Sequence, residues 1–230
     1  MPRSKPSQWG GQAIAPVLLF LFALPAAAYH LTLEANPAAP FPFLGKFGTV
    51  TLHVYGGGVR AETIWLNGFS RNGASAITVE NPYGRMYTDV PIADIGAVLH
   101  KLGRADVENV PEPQRAPEVA GKVGNVEARR YRLVYGPEAW IDIWTTRAIP
   151  ENPQLRAIVN EFVRGIAPGA AASMRTIPGT PLYVELNFRR YKKLSLLRLK
   201  SLSPGNDGEE EALRVGALYF RAPLLDALWK

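Results

Sequence analysis

From Phe47 onward, short runs of alternating apolar and polar residues are separated by glycine, asparagine and proline, the pattern of an antiparallel meander. The first run covers 48–55, and Gly56-Gly57-Gly58 turns it into a second over 59–66. Asn67-Gly68 and Asn72-Gly73 punctuate the next connection, because both residue types tolerate the positive φ of a tight turn. A third run, 74–80, turns at Asn81-Pro82-Tyr83-Gly84 into a fourth over 85–88. A helix is then predicted behind Asp89 as N-cap, with Ile92, Ile95, Val98, Leu99 and Leu102 at helical spacing and Gly103 as its stop.

The segment 107–121 carries Pro111, Pro113 and Pro117 among charged residues and reads as a surface loop. Strand patterns resume at 125–135 and, past Gly136-Pro137, at 139–146. There Trp140, Asp142 and Trp144 share one face while Ile141 and Ile143 share the other. A second helix has Asn152 as cap, Pro153 at its first position, and Leu155, Ile158, Val159, Phe162, Val163 and Ile166 on one stripe. A loop rich in proline, glycine and alanine leads to strands at 181–188, 194–202 and 212–220, and 223–230 suits a terminal helical turn. Eight or nine antiparallel strands with two inserted helices make an α+β plan. The expected fold is a strongly curved antiparallel β-sheet, an unclosed barrel, with both helices packed on one face.

The N-terminus changes the picture of where the protein works. Arg3 and Lys5 precede an uncharged apolar stretch over 13–24, Pro25 breaks it, and Ala26-Ala27-Ala28 supplies small residues at the two positions a signal peptidase reads. Residues 1–28 therefore read as a cleavable signal peptide and 29–230 as a single domain, with Tyr29 first in the mature chain. The stretch is shorter than the roughly 20 residues that span a bilayer. The chain has no cysteine, so no lipidation site, disulfide or thiolate metal site is expected. These features predict a periplasmic or secreted protein with no retained transmembrane helix. At 47% hydrophobic composition, about 200 residues are enough for one core. Taking Arg3 and Lys5 from the 26 basic residues leaves 24 against 20 acidic ones. That small excess argues against nucleic acid as a partner and permits peripheral contact with anionic membrane.

Candidate chemistry is sparse. The three histidines, His30, His53 and His100, fall on the N-terminal tail, a strand and a helix with no metal-ligand spacing between them, so no metal site and no cofactor are expected. Cleavage one residue later would put His30 first in the mature chain, able to hold copper with its amine and imidazole and with His53 as third ligand. Tyr29 would then occupy a cleavage position that wants a small side chain, which disfavours that reading. Gly56-Gly57-Gly58 lacks the Gly-Lys-Ser/Thr of a phosphate loop, and Ser70, Ser75 and Ser173 lie in turn-like contexts without a neighbouring base. No catalytic residue stands out, and the chain is read as not an enzyme. The basic stretch Arg189-Arg190-Tyr191-Lys192-Lys193 lies between two strands, where it either docks on lipid headgroups or a partner, or simply keeps sheet edges from pairing. Trp65, Trp140, Trp144, Phe188 and Tyr219 either line a cavity for acyl chains or fill the core.

Four stretches carry a resemblance. They are the glycine-flanked meander from Gly57 to Trp65; Gly84-Arg85-Met86-Tyr87-Thr88-Asp89-Val90-Pro91 before a helix; Trp140-Ile141-Asp142-Ile143-Trp144 leading into Ile149-Pro150; and the closing Ala217-Leu218-Tyr219-Phe220-Arg221-Ala222-Pro223. Together they resemble the lipoprotein-carrier (LolA/LolB-like) superfamily of bacterial envelope proteins, its uncharacterised secreted members most of all. The resemblance implies an unclosed β-barrel with helices as a lid. It also implies a periplasmic, non-enzymatic binding protein that handles a lipid, an acyl chain or a lipoprotein. The rival reading is an envelope protein-interaction module with a filled core that presents the basic hairpin to a partner protein.

Overall fold

The computed structural model of the protein describes residues 28–36, 48–101, 112–166, 168–189 and 193–223. The signal segment ahead of Ala28, the predicted helix end at Leu102-Gly103, Arg190 and Lys192 of the basic stretch, and the terminal turn past Pro223 lie outside them. The strands are β1 (Tyr29–Ala35), β2 (Val50–Tyr55), β3 (Gly58–Glu62), β4 (Asn67–Arg71), β5 (Ala76–Asn81), β6 (Met86–Pro91), β7 (Gln114–Val123), β8 (Val126–Val134), β9 (Ala139–Thr146), β10 (Thr180–Phe188), β11 (Leu194–Pro204) and β12 (Phe220–Arg221). The helices are α1 (Ile95–Lys101), α2 (Pro153–Ile166), α3 (Pro168–Arg175) and α4 (Glu209–Ala212). All the strands belong to one 12-stranded open sheet in the order β12-β6-β5-β4-β3-β2-β1-β11-β10-β9-β8-β7.

The N-terminal tail expected around His30 is instead β1, and it holds the sheet together. Tyr29, Leu31 and Leu33 alternate with His30, Thr32 and Glu34, so one face of the strand is buried. One edge of β1 pairs with β2 and the other with β11, both antiparallel, which joins the meander β2–β6 to the group β7–β11.

Other departures have local causes. Asn67-Gly68, expected in a connection, opens β4, which pairs Phe69 with Arg60 and Thr78. The expected loop over 107–121 is largely the edge strand β7, where the register shift between Ala116 and Val119 absorbs Pro117 in a bulge. Asp89 does not cap a helix. It lies in β6, accepting a 2.8 Å hydrogen bond from Thr78, and the helical turn starts after Pro91 with a 3-10 segment at Ile92–Asp94. The proline-, glycine- and alanine-rich loop contains α3, since alanine is the best helix former and Pro168 suits a first position. The strand expected over 212–220 shrinks to β12, a two-residue pairing that runs parallel to β6, preceded by α4 and turns.

The second helix is where the pattern put it. Asn152 caps α2, its Oδ1 accepting a 2.9 Å hydrogen bond from the Leu155 N–H. The Asn152 Nδ2 donates to the Tyr55 carbonyl at 2.9 Å, and the Gln154 Nε2 donates to Ser70 Oγ at 2.7 Å and to the Ala74 carbonyl at 2.9 Å. Both amides are buried. Leu155 belongs to a core of Leu31, Leu33, Val54, Val59 and Leu182, while Ile158 and Phe162 pack against Ile92 and Ile95. Helix α1 meets α2 where Gly96 and Gly165 lie side by side, so close that a Cβ on Gly96 would stand 3.4 Å from the Gly165 Cα.

Asn152→Ala should lower stability by about 2–4 kcal/mol, combining a lost cap with the orphaned Tyr55 carbonyl. Asn152→Ser, which keeps the cap and loses the amide donor, should fall between wild type and Asn152→Ala in urea titrations. Equal stability of all three chains would show that α2 is not fastened this way.

Candidate functional site

The alternation that buries Leu31, Leu33 and Val54 against the helices sends His30, Thr32, His53 and Tyr55 to the opposite face. In the β1–β2 ladder, His30 stands across from Tyr55 and Thr32 across from His53. The four side chains therefore meet. His30 Nε2 and His53 Nδ1 are 2.9 Å apart, a hydrogen bond that requires one of the two nitrogens to carry the proton. The Thr32 hydroxyl is 3.4 Å from His30 Nε2 and 3.5 Å from His53 Nδ1. Tyr55 stacks on His30 with centroids 4.5 Å apart and planes 17° from parallel.

Strand β3 extends the cluster. Arg60, opposite His53, donates from Nε to Glu62 at 2.7 Å and reaches the buried Glu80 of β5 at 3.4 Å. The second ring nitrogen of His53 lies 3.7 Å from Glu62. Arg60 also donates to the Ala212 carbonyl, and Arg71 donates from Nε and a terminal nitrogen to the Leu213 carbonyl at 3.1 and 3.0 Å. These two arginines fasten the segment holding α4 over the sheet. Gly58 makes room for it: a Cβ there would lie 2.6 Å from the Ser70 carbonyl and 2.7 Å from Leu213 Cδ1. Between segment and sheet is a cleft of about 490 Å³, lined among others by His30, His53, Glu62, Glu211 and Tyr219.

Burial, reinforced by the neighbouring His53 and opposed by Asp207, holds the His30 pKa below its ordinary value. Burial also raises the Tyr55 phenol, and the Glu62 carboxylate adds to that. At neutral pH His30 is thus a neutral imidazole and Tyr55 a neutral phenol.

The five aromatic residues expected either to line a cavity or to fill the core are dispersed. Trp65 is exposed in the β3–β4 loop, its ring 5.6 Å from that of Tyr83. Trp140 and Trp144 lie beneath Arg132 and Arg130, at 5.1 and 5.9 Å. Phe188 ends β10, and only Tyr219 reaches the cleft just described. None of the five lines the pocket of about 60 Å³ beside Ile143, Leu155, Val159 and Met174, but Trp144 packs against the core that holds Leu155 and Leu182. Of the basic stretch, Arg189 is 3.7 Å from Glu138 and Lys193 is 3.4 Å from Glu185.

The histidine cluster corrects the expectation that the three histidines stand apart: His30 and His53 touch. The strand alternation in Tyr29–Ala35 was its visible signal, but contact between β1 and β2 depends on a register that periodicity does not specify.

The chain matches no family model and no curated protein. Among solved structures it is similar to an uncharacterized conserved protein from Thermus thermophilus, with 10% identity, 86% of this chain and 92% of that one covered, and a TM-score of 0.44.

A depressed histidine has a defined effect on stability. As pH falls below about 6.5 the unfolded chain binds the His30 proton first, so stability present in full above that value is lost as pH drops through the lower folded pKa. The urea midpoint should therefore fall between about pH 7.5 and pH 5, and His30→Gln should make that fall smaller. The same fall in both chains would remove His30 as its source.

Proposed function

We propose that this chain is a non-enzymatic binding protein of the bacterial cell envelope that engages its partner from outside a filled interior. Curvature is part of this reading. Gln154 hydrogen-bonds to Ser70 of β4, while its neighbours Leu155 and Arg156 line a space with Ile143 and Thr145 of β9. Strands β4 and β9 are six places apart, roughly 29 Å along a flat sheet at about 4.8 Å per strand. One helix about 10–12 Å across reaches both if the sheet bends round it. The sheet is then an open half-barrel with α2 in its hollow.

The observation that carries the reading is the small volume of the pocket described between α2, α3 and β9. About 60 Å³ falls well short of the roughly 300–1,000 Å³ of small-molecule sites. Carriage of an acyl chain there requires α2 and α3 to withdraw, breaking the buried amide bonds of Asn152 and Gln154. The outer surface, by contrast, presents apolar groups at one end of the sheet. Ile64, Trp65, Tyr83 and Phe220 are all more than half exposed. The Tyr83 hydroxyl donates to the Ile64 carbonyl at 3.0 Å, and the Phe220 N–H donates to the Arg85 carbonyl at 3.0 Å beside that turn. Exposed, clustered large apolar side chains mark contact surfaces. No helix among the described residues is long and apolar enough to cross a membrane.

Organic extraction of protein purified without detergent should release no stoichiometric lipid by mass spectrometry. A photo-crosslinker placed at Trp65 or Tyr83 in living cells should give a discrete adduct that the same group at Glu127 does not. One lipid per chain would overturn the filled interior in favour of a carrier, and the absence of adducts from both aromatic positions would overturn the docking surface.

A further inference from the structure

We propose that His30, Thr32 and His53 form a binding site for one divalent transition-metal ion of the zinc and copper class, open to the cleft beneath α4. The argument starts from three distances. His30 Nε2, His53 Nδ1 and Thr32 Oγ1 stand at the corners of a triangle with edges of 2.9, 3.4 and 3.5 Å. Nitrogen and oxygen donors about 2.0–2.1 Å from a shared ion are separated by roughly 2.9–3.4 Å, so one point lies about 2 Å from all three atoms. An ion there takes the place of the proton that the two imidazoles otherwise share.

The surroundings are those of a ligand set rather than of two loose surface rings. Glu62 lies 3.7 Å from the far ring nitrogen of His53 and is itself held by Arg60 at 2.7 Å. At 3.7 Å this carboxylate is beyond hydrogen-bond length, and its charge favours the His53 tautomer that carries its proton on the far nitrogen and keeps the near nitrogen's lone pair for the metal. Tyr55, stacked on His30, holds the second ring in place. Both histidines line the 490 Å³ cleft, so water completes the coordination and an ion has a way in. Imidazole donors select zinc, copper and nickel over magnesium or calcium. Among the described residues no three His, Cys, Asp or Glu side chains gather as a metal-ligand set. The site therefore has two imidazoles and a hydroxyl, and it binds less tightly than a closed structural site. It is independent of the docking surface at Trp65 and Tyr83.

Copper(II) is the probe, because it heads the affinity order for such donors and its electron paramagnetic resonance spectrum registers coordinated imidazole nitrogens. The untagged protein should bind one Cu²⁺ per chain, with hyperfine structure from two nitrogens, and Zn²⁺ should compete for it. His30→Gln and His53→Gln should each weaken binding by at least about tenfold, and Glu62→Gln, which acts through charge alone, by a smaller factor. His100→Gln should change nothing. Melting curves of the metal-free variants check that each folds; should one not fold, the other variant and the wild-type spectrum still decide. A pair that only shares a proton would show no bound copper, and that result overturns the proposal. Binding that survives His53→Gln overturns it too.

Discussion

The structure depends on the pairing of β1 in the middle of the sheet. This strand contributes both ladders that connect β2–β6 with β7–β11, with residues 29–35 facing β11 and 30–35 facing β2. Without it, the two strand groups would each expose an unpaired edge of backbone donors and acceptors. Its alternation also sorts the molecule into two faces. Leu31 and Leu33 go to the helices, and His30, Thr32 and Glu34 go to the opposite side. Core and candidate site are consequences of one strand's register.

The helical face is fixed by polar groups as much as by apolar ones. Asn152 and Gln154 spend their amides on backbone carbonyls and a hydroxyl of the β2–β5 region. A buried amide left without such partners costs more than the bond returns when made, so these contacts specify one seat for α2. The apolar stripe of Leu155, Ile158 and Phe162 then closes the interior.

The opposite face is polar and partly roofed. Arg60 and Arg71 hold the carbonyls of Ala212 and Leu213, and the absence of a side chain at Gly58 lets that roof lie close to the sheet. A parallel arrangement of charge and ring occurs further along this face. Asp142 is buried, takes two hydrogen bonds from Arg132 at 2.7 and 2.8 Å, and accepts another from the Trp140 indole at 3.2 Å. The alternation of 139–146 anticipated that Trp140, Asp142 and Trp144 share a face. It did not reveal that arginines of β8 would lie over the two rings.

By itself the sequence determined the elements whose signals are local. Strand β9 and helix α2 stand where alternation, the Asn152 cap and Pro153 put them, because a two-residue period and a helix start depend on neighbours a few positions away. The α+β composition of an open sheet with helices also followed from those signals. Elements whose local signals conflict were decided by tertiary structure. β7 extends through Pro117 because β8 pairs with it around a bulge, and residues 212–220 fold mostly as a roof because Arg60 and Arg71 capture their carbonyls. The meeting of His30 with His53 belongs to this second kind. Twenty-three positions separate them, and only the antiparallel register of β1 on β2 brings their nitrogens within 2.9 Å.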